Sequence, residues 1–248
     1  MTNSFGEAWD LLFHPPVAHR GLWTKGGAPE NSLAAFQAAC DAGYGIELDV
    51  QLSADGEAMV FHDDDLARMT GVAGKLRDRT AAELAELRLA GTDEPIPTLR
   101  ETLTLIGRRA MTHVELKTPY GEVGPLEQRT HEVLIDHAGP VCVIGFNPYS
   151  HAWFADRYPG VLRGLDSYDY KRAPHMTETQ RQSFARLEHV AIAKPHFLAL
   201  HAEMLPDERA AKYREEGMPI IAWTIRDPAQ WEAVRPHCDN LIFEGFAA

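Results

Sequence analysis

Four strand-length segments place charged side chains where a buried strand should be apolar. They read Val17-Ala18-His19-Arg20-Gly21, Ile46-Glu47-Leu48-Asp49-Val50, Met59-Val60-Phe61-His62-Asp63 and Val114-Glu115-Leu116-Lys117. Side chains at i and i+2 share one face of a strand. Glu47 and Asp49 therefore point the same way, as do Glu115 and Lys117, and the residues between them form an apolar face. Three carboxylates, two imidazoles and two cations at strand ends describe a metal site with acid and base groups beside it.

The rest of the chain says what kind of sheet carries them. Apolar runs recur at Pro16–Arg20, Tyr44–Val50, Met111–Lys117, Val141–Phe146, Val161–Leu165, His189–Ala193, Pro219–Ile225 and Asn240–Phe243. Helical segments between them are expected at Asn31–Ala42 with Asn31 as N-cap, Leu126–Ala138, Thr177–Leu187, Pro206–Glu216 and Pro228–Val234. Eight strands alternating with helices in about 250 residues predict an α/β fold of the (β/α)8 TIM-barrel type. A doubly wound open sheet is the main alternative, but no phosphate-binding glycine fingerprint follows the first strand.

Two departures from simple alternation are informative. Only seven residues, with Asp55-Gly56 among them, separate Gln51 from Met59. No crossover helix fits there, so a hairpin should extend the second strand and bring His62 back to the level of Glu47 and Asp49. Asp64–Pro97 then contains no clear strand. It reads as a small helical insertion (about 64–97) in a single domain spanning residues 1–248, with Thr80–Leu89 as its best helix.

Composition narrows the function. Against 24 basic residues stand 36 acidic ones, a net charge of −12. That excludes a non-specific nucleic-acid binder, which needs a basic footprint. It leaves an anionic small-molecule substrate open, because the local field in a cleft outweighs net charge. Cys40, Cys142 and Cys238 share no ligand spacing, so neither a disulfide framework nor a structural zinc site is expected, and a reducing cytoplasm is the simplest location. The N-terminal segment lacks the basic start and apolar run of a signal peptide. No stretch reaches the roughly 20 apolar residues of a membrane span, so no stable membrane insertion is expected. Leu11-Leu12-Phe13 is a packing plug.

In a barrel with both sheet faces covered, Ile46, Leu48 and Val50 suit the outside, leaving Glu47 and Asp49 within; Glu115 and Lys117 follow the same rule. Inward carboxylates need a counter-charge. Hard oxygen ligands from Glu47, Asp49 and Glu115 favour one divalent cation, magnesium or calcium. Of twelve histidines, His19 and His62 stand out by their places at strand ends and are the acid–base candidates. Arg20 and Lys117 could clamp an anion, Arg20 with the fork geometry that suits phosphate. Asp63-Asp64-Asp65 reads as a solvated turn and helix cap.

These residues fall within a longer ordered pattern. His19-Arg20-Gly21, Pro29-Glu30-Asn31-Ser32, Ala35-Phe36, Gly45-Ile46-Glu47-Leu48-Asp49-Val50, Asp55-Gly56, His62-Asp63, Leu66-x-Arg68-x-Thr70-Gly71, Glu115-Leu116-Lys117 and Ala222-Trp223-Thr224 resemble the glycerophosphodiester phosphodiesterase family, of the phospholipase-C-like superfamily. The resemblance covers nearly the whole chain. It implies a TIM barrel with an insertion after the hairpin, one divalent cation on Glu47, Asp49 and Glu115, and acid–base catalysis by His19 and His62. It further implies phosphate binding by Arg20 and Lys117, Glu30 near the site, and Phe146 and Trp223 lining the substrate cleft. The chain departs from the pattern at its last strand. Family members commonly end it with Thr-Asp, whereas this one reads Phe243-Glu244-Gly245-Phe246. Lys194–Leu205 is also weakly matched.

The resulting expectation is a metal-dependent hydrolase that splits glycerophosphodiesters into glycerol 3-phosphate and an alcohol. Attack by the adjacent glycerol hydroxyl through a cyclic phosphate and direct attack by water both fit, and spacing leaves open which histidine is acid and which base. A lysophospholipase D acting on lysophospholipids is the near alternative, disfavoured by the lack of an amphipathic basic helix. A non-catalytic phosphodiester-binding barrel is the alternative from another class; two acid–base groups argue against it.

Overall fold

The computed structural model describes residues 5–170 and 176–248. Its shortest strand closes the sheet. Val17–Ala18 (β1) pairs in parallel with Gly45–Leu52 (β2) on one side and with Asn240–Phe243 (β9) on the other. Between those two run Thr112–Leu116 (β4), Val141–Gly145 (β5), Arg163–Ser167 (β6), Phe197–His201 (β7) and Ile220–Ile225 (β8), each parallel to its neighbours. The eight strands form a closed (β/α)8 barrel. Ala58–Val60 (β3) folds back antiparallel on β2, with Val50 opposite Val60. This is the expected hairpin, and Phe61 N–H donates to Asp49 O at 3.0 Å, which brings His62 beside the acidic strand.

The alternation within β2 sorts its side chains as expected. Ile46, Leu48 and Val50 pack outward in one fully buried cluster with Phe36, Leu99, Leu103 and Phe154 from the helices. The barrel interior holds a second cluster of Val17, Met111, Cys142, Phe197, Ile221 and Ile242. Leu12 plugs it with no exposed surface, and Asn240 Nδ2 ties the entering chain down by donating to Leu12 O and Pro15 O. Gly164 must be glycine on this interior face: a Cβ there would lie 2.2 Å from the Phe197 ring. That ring fills the space and forms an apolar floor under the C-terminal half of the barrel.

Helix boundaries follow capping chemistry. Glu7–Asp10 (α1) precedes β1. Leu33–Ala42 (α2) is capped by Ser32 Oγ, which accepts from Ala35 N–H, and ends at Gly43 in the left-handed conformation, φ 76°. The expected cap, Asn31, lies one residue before it with φ 56° and turns its amide to Asp49. After β3, the segment 64–97 holds the short helices Ala67–Thr70 (α3) and Ala81–Ala85 (α4) around a cluster of Phe61, Leu66, Leu76, Leu84 and Leu89. Helix α4 is half the length expected, since a reversal at Ala90 (φ 49°) follows it. Leu99–Ile106 (α5), which the apolar spacing did not single out, starts at a capping box between Thr98 and Glu101. Pro125–Leu134 (α6), Pro148–Arg157 (α7), Glu178–Ala185 (α8), the short Val190–Ala193 (α9), Glu208–Glu215 (α10) and Pro228–Val234 (α11) complete the outer layer.

One expected strand is a helix. His189–Ala193 contributes Val190–Ala193 (α9), and the seventh strand lies at Phe197–His201. His189, Val190 and Ala193 are buried while Ala191 and Ile192 are exposed, a helical rather than an alternating pattern. Lys194, at φ 47°, ends the helix ahead of Pro195. Phe197–His201 is a continuous apolar run, as suits a strand covered on both faces. A second shift matters for the site: the sixth strand runs Arg163–Ser167, two residues beyond the expected Val161–Leu165.

Burial depresses the pKa values of His151 on α7 and His189 before α9 from the ordinary 6.5 to about 4. The folded chain holds these rings neutral, and among the described residues both His189 nitrogens lack hydrogen-bond partners. The unfolded chain protonates near pH 6.5, so stability is intact above that pH and is lost as pH falls toward 4. The melting temperature should drop over that window, and His189→Phe, retaining the ring stack on Phe184 at 4.2 Å, should flatten the drop. An unchanged pH profile in this variant counts against a neutral buried His189.

Candidate active site

The C-terminal ends of β1, β2, β4, β5, β6 and β8 surround a cavity of about 180 Å³. His19, Arg20, Glu47, His62, Glu115, Lys117, Phe146, Asp166, Trp223, Thr224 and Arg226 line it. Barrel topology explains the convergence: parallel strands deliver their ends to one rim. Asp49 and Glu115 are direct partners in the β2–β4 register, and Glu47 lies two residues below Asp49. Ligand oxygens of Glu47, Asp49 and Glu115 all fall within 4.8 Å of one another, and all three residues are buried.

Two cations lean on this group. Lys117 Nζ lies 3.3 Å from Asp49 Oδ1 and 3.1 Å from Glu115 Oε1. Arg20 Nε lies 3.3 Å from Asp49 Oδ2, and Arg20 N–H donates to Glu47 Oε2 at 3.0 Å. Asn31 Nδ2 donates to Asp49 Oδ2 at 2.8 Å. Burial opposes ionisation of Asp49, but Lys117 and then Arg20 outweigh it and hold the carboxyl far below its ordinary range. Glu47 behaves oppositely. Burial first, then Asp49 and Glu115, push its pKa well above the ordinary value. Burial also raises Glu115, to about 7, against the pull of Lys117.

Burial and mutual repulsion thus oppose the charges on Glu47 and Glu115 more than Lys117 and Arg20 favour them. Among the described residues, Glu47 Oε1 is buried with no hydrogen-bond partner, and Asp49 Oδ1, also without a hydrogen bond, lies in the ion pair with Lys117. Unsatisfied carboxylate oxygens facing one another are what a hard divalent cation requires, so these residues fit one.

Both histidines are held by carboxylates. His19 Nδ1 lies 2.7 Å from Glu244 Oε2, leaving Nε2 3.8 Å from Glu47 Oε2. His62 Nδ1 lies 2.6 Å from Asp63 Oδ1. A carboxylate on one ring nitrogen fixes the tautomer and orients the other nitrogen. Burial opposes the charge on Glu244, but the His19 hydrogen bond outweighs it and holds the carboxyl at about 2. Its second oxygen pairs with Arg226 Nε at 2.9 Å. On the other side, Asp63 pairs with Arg68, whose Nη2 also reaches Glu30 Oε1 at 2.6 Å, and Glu30 reaches Arg20 Nη1 at 2.9 Å. One chain of ion pairs therefore runs from His62 through Asp63, Arg68 and Glu30 to Arg20. The Phe146 and Trp223 rings meet edge to face at 5.5 Å, and Trp223 Nε1 is anchored on Ala199 O at 2.8 Å.

All of the expected site residues come to this one rim, Glu30 through its pair with Arg20. Three carboxylates were not foreseen in that company. Asp63, read as a turn residue, is the partner of His62, while Asp65 of that run lies just ahead of α3 and accepts from Ala67 N–H at 2.8 Å. Glu244, in the atypical last strand end, is the partner of His19. Asp166 lies on β6 just past where the sixth strand was expected to stop; its signal was the alternation Gly164-x-Asp166.

A family model, the glycerophosphoryl diester phosphodiesterase family, matches residues 19–238. The chain belongs to that family. A glycerophosphodiester phosphodiesterase of Bacillus altitudinis is 33% identical over 201 residues, covering 75% of this chain and 81% of the relative. One from Caldanaerobacter subterraneus is 29% identical over 249 residues, covering 91% and 92%. Among solved structures, an Oleispira antarctica phosphodiesterase in complex with its product sn-glycerol-3-phosphate superposes with a TM-score of 0.81 at 26% identity, covering 96% of this chain and 94% of that one. The phosphodiesterase family thus accounts for the charged strands singled out at the start, and its model spans both histidines and all three clustered carboxylates.

Proposed function

We propose that this single barrel, with the 64–97 segment as its insertion, is a divalent-cation-dependent hydrolase of glycerophosphodiesters that releases glycerol 3-phosphate and an alcohol. The observation that carries the reading is the meeting of three buried carboxylates within 4.8 Å and two carboxylate-held histidines at one cavity. Family membership supplies the reaction class. Glu47, Asp49 and Glu115 hold the cation, magnesium or calcium, which when bound polarises a phosphoryl oxygen and acidifies a hydroxyl. Arg20 and Lys117 hold the phosphate, each already aligned by ion pairs to the acidic group.

The histidines divide the proton work by depth. The His19 side chain is 13% exposed and its Nε2 faces Glu47; the His62 side chain is 32% exposed. His19 would take the proton from the attacking group, a glycerol hydroxyl or water, and His62 would give one to the alcohol leaving at the mouth; after attack by the glycerol hydroxyl, a water deprotonated in turn opens the cyclic phosphate to glycerol 3-phosphate. Glu244 and Asp63 position the two rings. Three free thiols suit a reducing cytoplasm, and the products belong to the turnover of glycerol and lipid headgroups. No helix among the described residues is long and apolar enough to cross a membrane.

A second reading is favoured by one observation. From Phe146, the edge contacts Phe146–Tyr168 at 5.7 Å and Tyr170–Phe184 at 5.0 Å lead toward an apolar groove of about 520 Å³. Tyr120, Tyr149, Phe184 and Ile192 line it. Such a groove could seat the chain of a lysophospholipid, whose hydrolysis uses the same chemistry.

Three tests address these assignments. Exhaustive chelation should abolish turnover of glycerophosphocholine, and magnesium or calcium should restore it while raising the melting temperature. Asp49→Asn should lose that thermal shift while remaining folded, whereas full activity in a demonstrably metal-free sample defeats the cation assignment. His19→Ala and His62→Ala should each lower kcat by about 10²–10⁴-fold, with the double variant little worse than the poorer single one because the pair acts as a unit. A single variant with wild-type kcat removes that histidine from the mechanism. Side by side, glycerophosphocholine should show a higher kcat/KM than lysophosphatidylcholine; the reverse order selects the lysophospholipid reading.

A further inference from the structure

Asp166 is the one carboxyl of the cavity wall that the proposed chemistry leaves unused. It lies on β6 and is 3% exposed. Among the described residues, no hydrogen bond or ion pair engages it. Every other carboxylate at this rim has a near partner: Glu47 has the Arg20 N–H, Asp49 and Glu115 have Lys117, Asp63 has Arg68, and Glu244 has His19 and Arg226. A buried carboxyl without a partner forfeits its hydration with nothing in return. Such a group persists where something outside the chain completes it.

Its position says what that partner is. Arg20 and Lys117 lie at the ends of β1 and β4, so the phosphate is held on that side. Strand β6 stands four places from β1 and two from β4 around the eight-stranded ring, so Asp166 lies across the cavity from Arg20 while still feeling the charge of Lys117. Asp166 lines the same cavity directly above the floor formed by Gly164 and the Phe197 ring. Phe146 and Trp223 are more exposed than Asp166 and flank it from β5 and β8. Burial first, then Glu115, push the Asp166 carboxyl well above its ordinary range, and a carboxyl so biased toward its neutral form exchanges hydrogen bonds with hydroxyls as acceptor and donor. A ligand with phosphate at one end and hydroxyls a few bonds away would fit across the cavity, its carbon edges against the two rings.

We propose that Asp166 is a substrate-binding residue that exchanges hydrogen bonds with the free hydroxyls of the glycerol half, and so selects polyol phosphodiesters over those with an unsubstituted alkyl group. This rests on the glycerophosphodiesterase reading above. A cationic head group is the competing occupant for a carboxylate, but the leaving alcohol exits at the mouth, and Asp166 lies beneath it with almost no exposure.

The test separates hydroxyl recognition from phosphate binding. Inhibition of glycerophosphocholine hydrolysis is measured with sn-glycerol 3-phosphate and with n-propyl phosphate, which keeps the carbon chain and phosphate but lacks both hydroxyls. The wild-type enzyme should prefer glycerol 3-phosphate by about tenfold, as two hydrogen bonds of ordinary strength give. Asp166→Ala should bring that preference to within about threefold, mainly by weakening glycerol 3-phosphate. Its melting temperature should not fall, because the carboxyl has no partner in the fold. Asp166→Asn, closer in shape, carries the same measurement if the alanine variant folds poorly.

A variant that keeps the wild-type preference, or weakens both inhibitors equally, overturns the assignment. So does a loss confined to glycerophosphocholine relative to glycerophosphoglycerol with the inhibitor preference intact, which would place Asp166 at the head group. A wild-type enzyme that neither hydrolyses glycerophosphocholine nor binds glycerol 3-phosphate overturns the underlying function instead, and this assignment with it.

Discussion

The arrangement depends on one electrostatic constraint: carboxylates inside a barrel must be balanced there. Glu47, Asp49 and Glu115 are nearly out of reach of water, and Lys117 and Arg20 are the close cations. These are enough to keep Asp49 ionised, but Glu47 and Glu115 remain biased toward their neutral forms. The same imbalance is what a divalent ion held by the three carboxylates would relieve. Binding energy and folding energy are linked here, since a cation that neutralises the trio also relieves its mutual repulsion.

That constraint explains how the barrel is divided along its axis. Its lower half is an ordinary apolar interior, plugged by Leu12 and floored by Phe197. Its upper half is almost entirely charged or aromatic. The change occurs within single strands: β4 carries Val114 and Leu116 outward while His113, Glu115 and Lys117 lie on the inner face, and β6 passes from Gly164 against the floor to Asp166 at the site. Residues that break the local rule for a buried strand therefore collect at the end where the chemistry is done, as expected where function overrides folding preference.

Most of the barrel was legible because period-two alternation survives burial on both faces: Ile46, Leu48 and Val50 could only pack outward once a covered sheet was assumed. The hairpin was legible because seven residues cannot make a crossover. What failed were segments whose composition suits either state. His189–Ala193 is short, apolar and alanine-containing, and only the left-handed Lys194 and the following Pro195 end it as a helix. Placing the sixth strand two residues early hid Asp166. Helix α5 announces itself through the Thr98–Glu101 capping box rather than through apolar spacing. At the site, residue types on strands were readable one strand at a time, whereas partners delivered from distant loops were not. Glu244 lies 225 positions from His19 in sequence, and nothing short of barrel closure between β1 and β9 brings them together.

Glu244 shows how a side chain delivered by barrel closure is held in place. At the end of β9 it meets His19 Nδ1 at 2.7 Å while its other oxygen is held by Arg226. The second contact matters because a flexible glutamate positions an imidazole well only if its own rotamers are restrained. Arg226 supplies that restraint on one side as Arg68 does for Asp63 on the other, so each histidine is backed by a carboxylate and each carboxylate by an arginine. A net charge of −12 is therefore no obstacle to an anionic substrate. The arginines and Lys117 set the field within the cavity, while most of the acidic surplus lies on the outer surface, where water and salt screen it.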